Sequence, residues 1–170
     1  MTESPTFEEM FAECHSTAVH LEMRDEYTPD DPVFLNWKAG KSVDILAEWH
    51  EWYDLMVATT GRGVRVRRAR VVSEPITDFI RHEYESTNQL NNAAGEEVRW
   101  LPRSKAKGIL LPANDIWVFD NHTVRFGYFA GDGTYLGQEL ITDPQLAVQC
   151  SASFENAWGL AIDHSSYKPV

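Results

Sequence analysis

The stretch Leu111–Phe129, LPANDIWVFDNHTVRFGYF, sets the terms for the rest of the chain. It holds two short apolar runs, Ile116–Phe119 and Val124–Phe129, on either side of Asp120-Asn121. Asp and Asn tolerate positive φ, and aromatic and β-branched residues flank them, so the pattern predicts a β-hairpin. The runs are too apolar to leave one face in water. The pair therefore belongs in the middle of a sheet, and the flanking segments become its covers.

Taken in order, the chain predicts a short helix over Thr6–Cys14, with Phe7, Met10 and Phe11 on one face and Thr6 as cap. Ala18–Met23 reads as a strand and Tyr27–Pro32 as a loop. Pro32 then opens a short helix that ends at Gly40. Asp44–Thr60 is predicted as one amphipathic helix with the stripe Ile45, Leu46, Trp49, Tyr53, Met56 and Val57. Val64–Val72, VRVRRARVV, reads as a strand. Its alternation slips at Arg67-Arg68, which predicts a bulge there. Ser73–Ala94 reads as a second helix capped by Ser73, with Pro75 in its first turn and Gly95 at its end. Glu97–Leu101 is a strand and Pro102–Gly108 a polar loop. After the hairpin, AGDGTY makes a tight turn into an edge strand, Leu136–Thr142. Asp143-Pro144 then starts the last helix, with Leu146, Ala147, Cys150, Phe154, Ala157, Trp158 and Ala161 as its buried face.

Strands separated by amphipathic helices predict an α/β fold of the α+β kind, a mixed sheet covered by helices. A chain of 170 residues fits one domain, 1–170. Residues 1–40 are expected as a helix/strand/helix extension packed on a core at 41–163. The net charge of −11 disfavours nucleic acid and anionic membrane as partners, and it fits simple solubility first and a basic partner second. No apolar run approaches membrane-spanning length, and the N-terminus lacks a signal pattern. Cys14 and Cys150 are read as two buried thiols in a reducing cytoplasm.

His50-Glu51 and His82-Glu83 lack the second histidine of a zinc helix, because Asp54 and Ser86 stand four residues on. No metal or cofactor is expected. GxSxG, GxGxxG and Walker patterns are absent from the sequence. Arg62, Arg65, Arg67, Arg68 and Arg70 form the dense basic run, read as an outward strand face paired to acidic helices. A second set lies near the ends of predicted elements: Arg24, Asp78, Arg81, Arg99, Trp100, Asn114, Asp115 and Trp117. Ligand sites in open sheets gather at strand ends, so these eight are the candidate ligand- or partner-binding residues. Either they form a site or they tie helix to sheet as an ion-pair network.

Two resemblances add to this. From about Phe7 to Tyr167 the chain resembles an uncharacterised actinobacterial domain family, through AVHLEMRDEYTPDDP, RGVRVRRARVVSEPITDFIRHEYE, AGEEVRWLPR, LPANDIWVFD and FENAWGLAIDHSSY. Members of that family are typically encoded beside helix-turn-helix regulators, which implies a regulatory setting. The pattern also resembles, at the level of fold, one half of a phospholipase D-like domain, whose HxKxxxxD motif is followed by a strand and a closing helix. Asp120 matches the motif's Asp, and Phe154 and Trp158 the closing helix. The His position is Ala113 and the Lys position Asp115. The resemblance thus implies a degenerate, non-catalytic relative, since an alanine cannot attack phosphorus.

The expected function is a non-enzymatic cytoplasmic regulatory protein that binds a helix-turn-helix regulator or a small ligand. The alternative is a small-molecule-processing enzyme using Asp78, Arg81 and Asp115, with Arg24, for acid–base work. Nucleic-acid binding through the Arg62–Arg70 strand is the least favoured reading.

Overall fold

The computed structural model describes residues 4–170. Seven strands form one mixed sheet: β1 (Thr17–Glu22), β2 (Arg65–Val72), β3 (Glu97–Pro102), β4 (Asp115–Phe119), β5 (Thr123–Phe129), β6 (Tyr135–Thr142) and β7 (Ile162–Asp163). Their order across the sheet is β6-β5-β4-β1-β2-β3-β7. β1, β2 and β3 run parallel, and the other pairings are antiparallel. Six helices accompany them: α1 (Phe7–Glu13), α2 (Pro32–Lys38), α3 (Ile45–Glu48), α4 (His50–Gly61), α5 (Asp78–Leu90) and α6 (Pro144–Leu160).

The hairpin forms as its residues require. Asp120 and Asn121 both take positive φ, 50° and 53°, and β4 is buried along its whole length. β4 and β5 sit inside the sheet, with β6 as the edge. The tight turn before β6 depends on Gly133 at φ 92°, where an added Cβ would lie 2.8 Å from the Glu26 carbonyl oxygen. Only glycine fits that approach.

α6 packs on one face of the sheet through Ala147, Cys150, Phe154, Ala157 and Trp158, against Leu21, Ala69, Val71, Leu101 and Ile116. Asp143 caps this helix by accepting from Gln145 N and Leu146 N, with Pro144 at its first position. The opposite face is covered in two patches. Phe11, Met56, Val66 and Trp117 make one under α1 and α4, while Phe34, Phe79, Ile80 and Trp100 make the other under α2 and α5. Thr6 closes α1 with a capping box to Glu9.

Four expectations are corrected. β2 has no bulge: its register to β1 and β3 is unbroken. The slipped alternation has another cause, burial of both strand faces, so that Arg67, Arg68 and Arg70 lie inside. Asp44–Thr60 is two helices that break at Trp49, and Leu46, Trp49 and Val57 are exposed while Trp52 and Leu55 pack inward. The second long helix begins at Asp78 with Thr77 as its cap, and Ser73 instead bonds the Asp25 carboxylate through its N–H and hydroxyl, each at 2.7 Å. Residues 1–40 are more than an extension, because they carry β1, the strand between β4 and β2.

Candidate ligand-binding cleft

Two rows of side chains cross the second face of the sheet in register. One runs Arg125, Trp117, His20, Arg68 across β5, β4, β1 and β2. The other includes Glu22, Arg70 and Trp100 on β1, β2 and β3. Strand alternation brings His20 with Glu22, and Arg68 with Arg70, to this side. The intervening Val19, Leu21 and Ala69 face α6. Between the two helical patches the face is open, and a cleft of about 1130 Å³ lies over these rows. Its walls are aromatic, with Phe7, Trp52 and Trp117 on one side and Tyr27, Phe79 and Phe129 on the other.

The floor is a chain of buried ion pairs. Arg68 donates from Nε to Glu96 Oε1 at 2.6 Å and from Nη1 to Glu22 Oε1. Arg70 reaches Glu22 Oε2 at 3.2 Å and also contacts Glu83. Asn91 donates to Glu96 Oε2 at 2.6 Å. Arg70, 4% exposed, and Glu22, 5% exposed, lie out of bulk water. His20 stacks on Trp117 with ring centroids 4.3 Å apart. Burial and then Arg68 hold its pKa well below the ordinary histidine range, so the ring is neutral. Arg68 also lies over the Trp52 and Trp117 rings, at 5.6 and 5.5 Å.

Asp115 enters from the start of β4. It accepts from Met23 N at 2.9 Å and from the Tyr27 hydroxyl at 2.5 Å. Burial pushes its pKa up to about 6, with Tyr27 opposing the shift and Glu22 adding to it. Glu83 on α5 is pushed up to about 7, again by burial, with Arg70 opposing and Glu22 adding. Two carboxyl groups in one cleft therefore exchange protons near neutrality.

Of the eight residues proposed from sequence, Asp115 and Trp117 line this cleft. Arg24 lies beside it, bonding the Ala130 and Gly131 carbonyls and stacking over Phe129, which is in the cleft wall. Trp100 is fully buried, with its Nε1–H donated to His164 Nδ1 at 3.0 Å. Arg99 is on the opposite face, 4.3 Å over the Trp158 ring. Asn114 is exposed before β4, and Asp78 and Arg81 are exposed on α5, with Asp78 paired to Lys38 at 3.3 Å. The eight are thus neither one cluster nor one network.

The basic strand is likewise not outward. Arg67, Arg68 and Arg70 are buried, and Arg67 is held by Glu155 and by the Phe154 and Trp158 rings. Only Arg65, paired to Glu97, and Arg62 are exposed. His20 and Glu22 escaped the sequence reading, Arg68 and Arg70 entered it only as an outward basic face, and Glu83 only within a rejected zinc pattern. Their signal was the period of two in His20/Glu22 and Arg68/Arg70, set in strands whose other phase is apolar.

Ala113 is exposed in the bend before β4, and Asp120 is spent on local structure, accepting from the N–H groups of His15, Ser16 and Thr17 at 2.8–2.9 Å. The chain is a single α/β domain with a phospholipase D-like fold, and one face of its sheet carries a charged cleft. The structural comparison agrees. The phospholipase D family member Nuc from Salmonella typhimurium superposes with a TM-score of 0.54 at 15% identity, covering 92% of this chain and 86% of that one. Phosphatidylserine synthase from Haemophilus influenzae Rd KW20 gives 0.46 at 11% identity, over 95% of this chain and 37% of that one. No curated protein matches by sequence. The chain belongs to the family described as a domain of unknown function, DUF6879, which matches residues 5–169.

Proposed function

We propose that the protein is a non-enzymatic, ligand-binding regulatory protein of the cytoplasm. The observation that carries this is the cleft, a large aromatic-walled cavity over a buried charged floor. The phospholipase D-like resemblance, which sets Ala113 where that motif has its nucleophile, supports a non-enzymatic role. Apolar walls with a few convergent polar groups are what small-molecule sites are made of. Two free, buried thiols support a reducing compartment. In the regulatory setting implied by the family resemblance, which is of actinobacterial origin in this reading, the bound state is conveyed to a helix-turn-helix regulator with a basic surface. The acidic charge of the chain supports such a partner.

A thermal-shift screen of metabolites tests the cleft reading. A ligand is expected to raise the melting temperature and to lose that effect in Trp117→Ala. A library without a stabilising member, or a hit indifferent to Trp117, counts against it. The partner reading is tested by calorimetry with the regulator encoded next to this gene, where charge reversal at Glu48 or Glu51 is expected to weaken a one-to-one complex. A second reading, acid–base chemistry on a bound metabolite, is supported by the position and raised pKa of Asp115. Turnover of the screened ligand, abolished in Asp115→Asn, would favour it over binding alone.

A further inference from the structure

We infer that the cleft takes an organic cation, a protonated or quaternary amine carried on an apolar or aromatic body. This rests on the ligand-binding reading and names the class of ligand.

The charges of the cleft do not cancel. Seven carboxylic acids line it, Glu22, Glu83 and Asp115 at the floor among them, against three arginines, Arg68, Arg70 and Arg125, with Arg24 beside Asp115. Arg68 and Arg70 of β2 are already held by carboxylates. Arg125 donates to Gln138 Oε1 and Tyr135 Oη and lies 4.5 Å over the Phe7 ring. Asp115 is its carboxylate neighbour across the β4–β5 pair, and the two charges offset each other. What remains is an excess of acid, and Glu22 and Glu83 share the Arg70 guanidinium beside the cavity, so a ligand that brings positive charge offsets acid that the arginines leave unmatched.

The outer part of the cleft has the same sign. Glu48 and Glu51 line it and are exposed, and no lysine lines it among the described residues. Between them stands Trp49, 42% exposed, at the break between α3 and α4. Among the described residues its ring stacks on no other aromatic group and carries no cation. An exposed indole flanked by carboxylates, above further aromatic walls, is the surface that holds an alkylammonium or amidinium group.

Proton exchange follows from the same geometry. Glu83 faces Arg70 and Arg68 on β2 and Glu22 on β1, while Asp115 faces Tyr27, Glu22, Arg24 and Arg125. A bound cation supplies the missing countercharge, so binding expels protons from these carboxyl groups and tightens as pH rises.

Isothermal titration with benzyltrimethylammonium, set against benzoate and benzyl alcohol, reads this directly on the full chain. The cation is expected to bind at least tenfold more tightly than either counterpart, and about threefold or more tightly at pH 8 than at pH 6. Glu83→Gln is expected to weaken it about tenfold. Glu51→Gln and Trp49→Ala, at exposed positions that leave the fold intact, should each weaken it severalfold, so the inference stays testable if Glu83→Gln is unstable. Benzoate or benzyl alcohol binding as well as the cation overturns the charge assignment and leaves the cleft reading standing. The same holds if no cation binds while the metabolite screen yields a neutral or anionic ligand. Failure of all three probes, with no stabilising metabolite, overturns both.

Discussion

Arg68→Met removes the guanidinium at the centre of the buried network while keeping a side chain of similar length between Trp52 and Trp117. Arg68 is buried and joins Glu22 to Glu96, whose side chain is fully enclosed. Losing it takes a countercharge from two carboxylates that cannot reach water. Glu22 keeps the Arg70 guanidinium, while Glu96 keeps only the neutral Asn91 amide. Breaking a buried ion pair from one side costs about 3–5 kcal/mol. Whole domains have roughly 5–15 kcal/mol of stability, so the variant is expected to fold marginally. For a chain of this size about 2–4 °C of melting temperature is lost per kcal/mol, a drop of roughly 6–20 °C. Urea denaturation followed by tryptophan fluorescence gives the free energy. The companion Arg68→Met/Glu96→Gln neutralises one stranded carboxylate and should recover about half of the loss, since the penalty is uncompensated charge and not lost packing. A loss below about 1 kcal/mol, the scale of exposed ion pairs, or a double variant no better than the single one, would refute the reasoning.

Glu83→Gln should gain stability relative to the natural chain as pH rises from about 5 to 8. The folded protein holds the Glu83 proton more tightly than the unfolded chain, so its contribution falls between the ordinary glutamate range and about 7. Comparing the two chains cancels the opposite slope of the buried, depressed histidines, and a difference that stays flat with pH would contradict the assignment. Gly133→Ala should lower stability by about 1–3 kcal/mol in thermal unfolding, because the new Cβ meets the Glu26 carbonyl at 2.8 Å and φ is 92°. Arg81→Ala, exposed on α5 and without an ion pair among the described residues, should change stability by less than about 0.5 kcal/mol, and a larger loss would show that it ties helix to sheet after all. Tyr27→Phe removes the hydroxyl that donates to Asp115 and should raise the Asp115 pKa above about 6, as read by carboxyl carbon resonances; a fall would reverse the assigned role of that bond.

The sequence by itself determined the elements whose signals are local. Asp120-Asn121 demanded a turn, Thr6 and Asp143-Pro144 fixed two helix starts, and the period of two in the apolar runs placed most of the strands. These depend on backbone sterics and on groups a few residues apart. Tertiary structure decided what distant segments do to one another. The long stripe through Trp49 broke because burial against β2 and β4 selected Trp52 and Leu55 instead. Ser73 was taken from a helix cap by Asp25, 48 residues away. The arginines of β2 read as a solvent face, because one dimension does not show that Glu22, Glu83 and Glu96 converge on them from β1, α5 and the start of β3. The cleft is of this kind. Its carboxylates and guanidiniums are ordinary surface residues until the sheet removes their water, and burial, a property of the whole fold, then makes their charges count.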